Sequence, residues 1–344
     1  MPESSLSTQL RLARRPRGAV SPDDFTVVHE PLHPLAEGEA LVRNFLLSVD
    51  PTNRVWMSDT PQYMPPVKIG EVMRAIGLGV VESSRRPDLK PGTVVRGLVG
   101  WQDHWIAGPG APVAPVPAVP DVPLHHWLGV LGSTGGLTAY FGLLEVGRPQ
   151  PGETVVVTAA AGSVGSLAGQ IAKISGCRVI GIAGGPVKQK RVVEEYGFDA
   201  CIDYKSEDVG QALDRLCPDG VDVVFENVGG AILDALLARL KLRARVVLCG
   251  LISQYAAERP TPGPTNFSMI LMRRARVEGF IVSDFTPKYA EATRSLLEWV
   301  RQGRLDTRYD ILEGDLPMAV DAVNRLLEGR NDGKLLLRIG ADPA

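Results

Sequence analysis

Cysteine is scarce in this chain of 344 residues: Cys177, Cys201, Cys217 and Cys249 are the only four, and none precedes residue 177. Their spacing forms no pair of the kind used by disulfide frameworks or cysteine-rich metal sites, and it suits a reducing cytoplasm. Histidine is as thin. His29, His33, His104, His125 and His126 fall at no ligand spacing, and neighbours such as His125 and His126 diverge in most backbone conformations. No bound metal is expected. An excess of one charge is missing too: 37 basic residues against 39 acidic leave a net charge of −2. That removes any general pull toward nucleic acid or a membrane surface. No apolar run approaches the ~18 residues of a membrane span, and Met1-Pro2-Glu3-Ser4-Ser5 begins no signal pattern. The basic cluster Arg11, Arg14, Arg15 and Arg17 reads as a solvated hairpin, not an address. What remains is a cytoplasmic enzyme long enough for two domains.

Against these absences stands one dense motif at 154–169, T-V-V-V-T-A-A-A-G-S-V-G-S-L-A-G. An apolar β-branched strand runs into a small-residue turn and then into a helix. That form delivers a phosphate to a helix N-terminus, where the first free amides face the anion. Gly162 is expected to permit the tight turn and Gly165 to clear a side chain where backbone meets ligand, with Ser163 and Val164 between them. Ala160 holds the first glycine's place in G-x-G-x-x-G, so the fingerprint is incomplete. A strand before, a helix after and a second strand at 178–183 supply its context.

The choice of dinucleotide follows from another absence. A site for NAD usually carries Asp or Glu about 20 residues after the glycines, bonded to the ribose 2′-hydroxyl. Here the second strand ends in Gly184-Gly185 with no acid at its tip, and Lys188, Lys190 and Arg191 follow. A glycine pair makes room for a 2′-phosphate and nearby cations hold it. NADP(H) is the expected cofactor.

The chain changes character near residue 125. Before it, Pro and Gly punctuate short strand-like runs at 39–49, 77–82 and 92–99, as in a compact β unit. Six prolines within 108–123 read as an extended surface connector. After it, helices are expected at 127–143, 164–175, 188–196, 230–240 and 288–302. Strands are expected between them at 154–158, 178–183, 201–204, 221–226, 243–250 and 277–282. Such alternation predicts an α/β fold with a doubly wound parallel sheet. A helix at 316–327 and a strand at 334–339 close the chain, the strand returning to the first domain. The domains expected are therefore a discontinuous β-rich unit, 1–126 with 311–344, and a Rossmann dinucleotide-binding unit at 127–310.

This order, together with several short matches, resembles the medium-chain dehydrogenase/reductase superfamily. The nearest branch is the zinc-independent one of leukotriene B4 dehydrogenase/prostaglandin reductases, plant double-bond reductases and curcumin reductases. The matching stretches are Val49-Asp50-Pro51 with Arg54, Gly70-Glu71-Val72-Met73, Gly136-Leu137-Thr138-Ala139-Tyr140 and residues 159–165. Further on come Glu226-Asn227-Val228-Gly229-Gly230, Cys249-Gly250-Leu251-Ile252-Ser253-Gln254-Tyr255 and residues 329–334. The resemblance implies a GroES-like β domain and a homodimer. The chain departs from many prostaglandin reductases at Thr52-Asn53, where those carry Tyr-Met, so a substrate-facing tyrosine at 52 is missing.

The chemistry points the same way. Without zinc, alcohol oxidation loses the Lewis acid that stabilises its alkoxide. Hydride addition to the β-carbon of an enone needs only hydrogen-bond donors at the enolate oxygen. Tyr255, after the strand at 243–250, is placed at the carboxyl end of the sheet, where ligands bind. Tyr63 is the second candidate, and the resemblance places it across a cleft between the domains. The resemblance also implies that Gly162 to Gly165 hold the pyrophosphate and Lys188 the 2′-phosphate. Tyr204 would contact the same phosphate or the adenine, and Asn227 the ribose or carboxamide. Cys249 would lie beside the nicotinamide, with backbone of Phe280, Ile281 and Val282 at the carboxamide; Thr138 and Asn331 follow the family pattern. The expected activity is NADPH-dependent reduction of α,β-unsaturated ketones and aldehydes. The rivals are a quinone reductase of the same fold and an NADPH-binding protein without turnover.

Overall fold

The computed structural model describes residues 6–259 and 261–343, so the opening read at Met1 to Ser5 lies outside the described residues. The chain divides into two compact units.

One unit comprises Gly129–Arg308 and Asp332–Lys334. Its strands are β1 Thr154–Thr158, β2 Arg178–Ala183, β3 Ala200–Asp203, β4 Val221–Glu226, β5 Leu240–Leu248 and β6 Arg276–Gly279. They form one parallel sheet in the order β3-β2-β1-β4-β5-β6. Every residue of β1 is buried, as a strand covered on both faces requires. From β1 the chain winds outward through β2 and β3, then returns to β4 and winds the other way. The reversal puts a crevice beyond the carboxyl ends of β1 and β4. Helix Ser163–Ile174 packs on this sheet through small residues. At Gly169 a β-carbon would fall 1.8 Å from the Phe198 ring.

Two expected elements differ. The helix expected at 127–143 is instead a 3-10 turn, Leu124–Leu128, a break, and a helical run from Ser133 to Gly147 with π turns at both ends. Glycines cause the break. Backbone folds back so closely that β-carbons at Gly135 and Gly136 would meet the carbonyls of Gly129 and Val130 at 2.2 and 1.8 Å. The strand expected at 277–282 stops at Gly279, and a 3-10 helix occupies Val282–Lys288.

The other unit holds a seven-stranded sheet and a hairpin, Leu6–Leu12 with Phe25–Pro31. The late strand Lys334–Arg338 pairs antiparallel with Ala40–Ser48. Its core gathers Leu47, Trp56, Met57, Met73, Trp101 and Leu335. The prolines of 108–123 permit one short strand, Val113–Pro115. The arginine cluster is not simply solvated. Arg15 donates to the carbonyls of Met57 (2.8 Å) and Val67 (2.6 Å), and Arg14 pairs with Asp24, because the irregular hairpin needs donors for packed backbone. Nor do His125 and His126 diverge: their ring centroids lie 4.9 Å apart, and both pack against Tyr309.

Candidate active site at the strand tips

The turn after β1 keeps its left-handed residue at Ala159 (φ 50°), while Gly162 is extended at φ −83°. Gly162 thus opens the helix from ordinary extended backbone, and the left-handed angle of the turn falls on Ala159. Gly165 is needed for packing: a β-carbon there would stand 2.3 Å from the Ala159 carbonyl oxygen. The helix starting at Ser163 has no side-chain cap and no acid in its first turn. Ser163 Oγ is buried without a hydrogen-bond partner among the described residues. Uncapped amides, no repelling carboxylate and an unmet hydroxyl form a cradle for an anion.

The tip of β2 is more crowded than the sequence implied. Gly185 adopts φ +91°, and its N–H donates to Asp203 Oδ1 at 2.6 Å. A carboxylate is thus present, contributed by β3. It also accepts from Lys205 N (3.1 Å) and Ser206 Oγ (2.9 Å), and the bond from Gly185 leads in holding it below the usual carboxylate range. Tyr204 is 45% exposed. A β-carbon on Gly184 would approach its ring at 2.9 Å and Lys205 Cε at 3.0 Å, so any larger residue would push these two side chains aside. Sequence reasoning missed Lys205; its place directly after Tyr204 was the available signal. Of the three cations expected here, Arg191 is buried and pairs with Asp332, and Lys190 faces Glu194 at 3.7 Å. Lys188 stands in the first turn of helix Pro186–Glu194, which has no acid there.

At the reversal point, Asn227 is anchored twice to Thr158: its N–H donates to Oγ1 and its Nδ2 to the carbonyl, each at 2.7 Å. These two bonds use its donors and leave Oδ1 as the side chain's acceptor. Cys249 follows β5, its thiol pushed up to about 12 by burial, with the nearby Glu226 charge second. It is inert as a nucleophile. Beyond it, the Tyr255 phenol folds back to accept from Leu251 N–H at 3.0 Å. Gly250 makes this possible, since a β-carbon there would lie 3.1 Å from the phenol oxygen.

The remaining expected residues have visible local duties. The carbonyls of Ile281 and Val282 accept from Asp284 N and from the Tyr289 hydroxyl, and the Phe280 ring fills the space left by Gly142. Thr138 Oγ1 donates to the Ser133 carbonyl at 2.5 Å. Asn331 and Tyr63 belong to the β-rich unit, where Asn331 is buried and the Tyr63 hydroxyl meets Thr52 and Trp56. Among the described residues, no three His, Cys, Asp or Glu side chains are grouped to share a metal. No described helix is long and apolar enough to cross a membrane.

Known proteins place this arrangement. A family described as N-terminal domain of oxidoreductase matches residues 8–116, and one described as zinc-binding dehydrogenase matches 163–300. The chain is 41% identical to the NADPH-dependent curcumin reductase of Escherichia coli (strain K12) over 337 residues, 96% of each protein. It is 37% identical to the 2-alkenal reductase (NADP(+)-dependent) of Nicotiana tabacum, covering 90% of each. The crystal structure of CurA in complex with NADPH from Vibrio vulnificus superposes with a TM-score of 0.90 at 40% identity, over 97% of this chain and 100% of that one. The chain belongs to the medium-chain dehydrogenase/reductase family, in the zinc-independent branch of curcumin, alkenal and prostaglandin reductases.

Proposed function

We propose that this chain, an NADP-dependent oxidoreductase, reduces the carbon–carbon double bond of α,β-unsaturated ketones and aldehydes. The observation that carries this reading is the Tyr255 phenol beyond β5, polarised by the Leu251 amide. It stands in a chain whose relatives at 41% and 37% identity are curcumin and 2-alkenal reductases. The strand tips fit NADP(H): an uncapped helix start, the unpartnered Ser163 Oγ, and a glycine floor beneath Tyr204 and Lys205. Gly162, Ser163, Val164 and Gly165 would hold the pyrophosphate, and Lys188 with Lys205 the 2′-phosphate, flanked by Tyr204. Asn227 Oδ1 would face the ribose or carboxamide, with Cys249 as a small wall. Backbone of Phe280, Ile281 and Val282 would meet the carboxamide; Thr138 and Asn331 follow the family pattern.

When bound, NADPH supplies the hydride that reaches the β-carbon. Tyr255 donates a hydrogen bond to the developing enolate oxygen, an interaction worth about 3–4 kcal/mol in comparable sites. Tyr63 is the second hydroxyl, and the α-carbon takes its proton from tyrosine or water.

Cytoplasmic residence and a homodimer complete the reading. All four cysteines are free thiols. Exposed Phe267, Leu271 and Met272 supply apolar surface in the unit whose sheet ends at β6. The test of the activity is a panel of enals, cyclic and aryl enones and quinones, run with NADPH and then NADH. Enones and enals should consume NADPH and yield the saturated carbonyl. Turnover confined to quinones, or supported equally by NADH, would sink the proposal.

A further inference from the structure

The chain leaving β2 carries Lys188, and the chain leaving β3 carries Lys205. One side-chain atom ties these two segments together. Asp203 ends β3, stands in register with Ala183 at the end of β2, and is 4% exposed. Its Oδ1 accepts from Gly185 N at 2.6 Å and from Lys205 N at 3.1 Å, while Oδ2 accepts from Ser206 Oγ at 2.9 Å. The residue's backbone is pinned as well. Its N–H donates to Glu207 Oε1 at 3.2 Å, and its carbonyl accepts from Ser206 N (3.0 Å) and Glu207 N (3.1 Å).

Both bonds to Oδ1 fix a segment that carries a cation. Gly185, at φ +91°, is the N-cap of helix Pro186–Glu194, in backbone that residues with a side chain rarely adopt. Holding its N–H sets where that helix begins, and with it Lys188 in the first turn. Gln189 Nε2 ties the same helix to β3 by donating to the Cys201 carbonyl at 2.8 Å. The bond from Lys205 N sets the turn after β3, whose Tyr204 and Lys205 side chains lie against Gly184. A carboxylate beside a phosphate ordinarily repels it. Here three donors occupy the carboxylate oxygens, which lets the acid act as a clasp.

We infer, on the reading that the 2′-phosphate binds at this tip, that Asp203 is a positioning residue for its recognition. Its carboxylate holds Gly185 and the turn 204–206 so that Lys188 and Lys205 serve one anion. Asp203 itself offers the phosphate nothing, because an ionised carboxylate only accepts. The preference for NADP(H) then depends on a residue with no donor to give the cofactor.

The test uses the full chain and two cofactor fragments, 2′,5′-ADP and 5′-AMP, whose affinities calorimetry measures without turnover. Asp203→Ala should weaken 2′,5′-ADP binding about tenfold, the effect of one charge-assisted contact, and leave 5′-AMP within about twofold. Asp203→Asn keeps Oδ1 as the shared acceptor and should restore most of that loss. Asp203→Glu keeps the charge but displaces the oxygens, so it should lose as the alanine variant does; it replaces that variant if alanine prevents folding. With Lys188 and Lys205 both changed to alanine, Asp203→Ala should cost nothing further. Equal losses on both fragments, an asparagine variant as weak as the alanine one, or losses that multiply in the lysine background would overturn the inference. If the two lysine changes leave 2′,5′-ADP affinity unmoved, the placement of the phosphate falls and the role of Asp203 with it. If the lysines matter and neither Asp203→Ala nor Asp203→Glu does, Asp203 alone is ruled out.

Discussion

The Thr158 hydroxyl donates to Glu226 Oε1 at 3.1 Å, joining β1 to β4 where the sheet reverses direction. The same carboxylate oxygen accepts from Val228 N (2.5 Å) and Gly229 N (2.7 Å), so it also fixes the turn leaving β4. Its Oε2 is buried without a hydrogen-bond partner among the described residues. Burial is the main cause pushing this carboxyl up to about 6. A carboxyl raised in this way binds its proton more tightly in the folded chain than in the unfolded one. Its contribution to stability is therefore greatest below pH ~4.5 and falls as pH rises through about 6, by roughly 2 kcal/mol. Glu226→Gln keeps an acceptor for the two amides and removes the titration. Between those pH values its melting temperature should rise more steeply with pH than that of wild type, and an unchanged slope would count against the assignment.

His125 should show the opposite slope. Burial first, then the neighbouring His126 and Arg338, lower it to about 4. Folding then resists protonation, so the neutral ring supports the fold fully above pH ~6.5 and that support drains away as pH falls toward 4. Where the two windows overlap, Glu226 gains what His125 loses. Wild type should look nearly flat there, while His125→Asn exposes the gain and Glu226→Gln the loss. Melting scans of the two variants in parallel decide this; slopes of the same sign would refute it.

The parallel sheet was legible because its strands are short runs rich in β-branched residues: 154–158, 178–183 and 221–226 match their observed bounds. Helix Val209–Leu216 escaped notice, although Asp208 caps it and apolar residues recur at 209, 212, 213 and 216. Strand Tyr309–Glu313 was missed because Asp310 and Glu313 mask its alternation. At the site, the bare tip of β2 was visible, but the Asp203 carboxylate that locks it comes from another strand. Pairing of strands distant in sequence is what linear reading cannot supply. The same holds for Arg191, whose partner Asp332 lies far along the chain.

That difference separates the cations at the β2 tip. Lys188→Ala and Lys205→Ala should each weaken NADPH binding about tenfold, the scale of one charge-assisted hydrogen bond. Affinity for NADH should hardly move. Arg191→Ala should behave otherwise, lowering the melting temperature because it removes a buried side chain together with its bond to Asp332. Titration of nicotinamide fluorescence reports the affinities. Equal losses for both cofactors in the lysine variants would place the 2′-phosphate elsewhere.

Tyr255→Phe isolates the chemistry from the fold. The ring stays, but the Leu251 N–H loses its acceptor, so a modest drop in melting temperature, about 1 kcal/mol of stability, is expected whatever the reaction. The diagnostic quantity is the contrast between substrates. An enone needs a donor at its developing oxygen charge, so kcat should fall by some tens-fold to a hundredfold. A quinone, whose reduced oxygens are stabilised by the aromatic ring, should lose little. Steady-state rates on one enone and one quinone, at matched NADPH saturation, measure that ratio. A structural role alone would depress both substrates alike, and a parallel loss would remove Tyr255 from the chemistry.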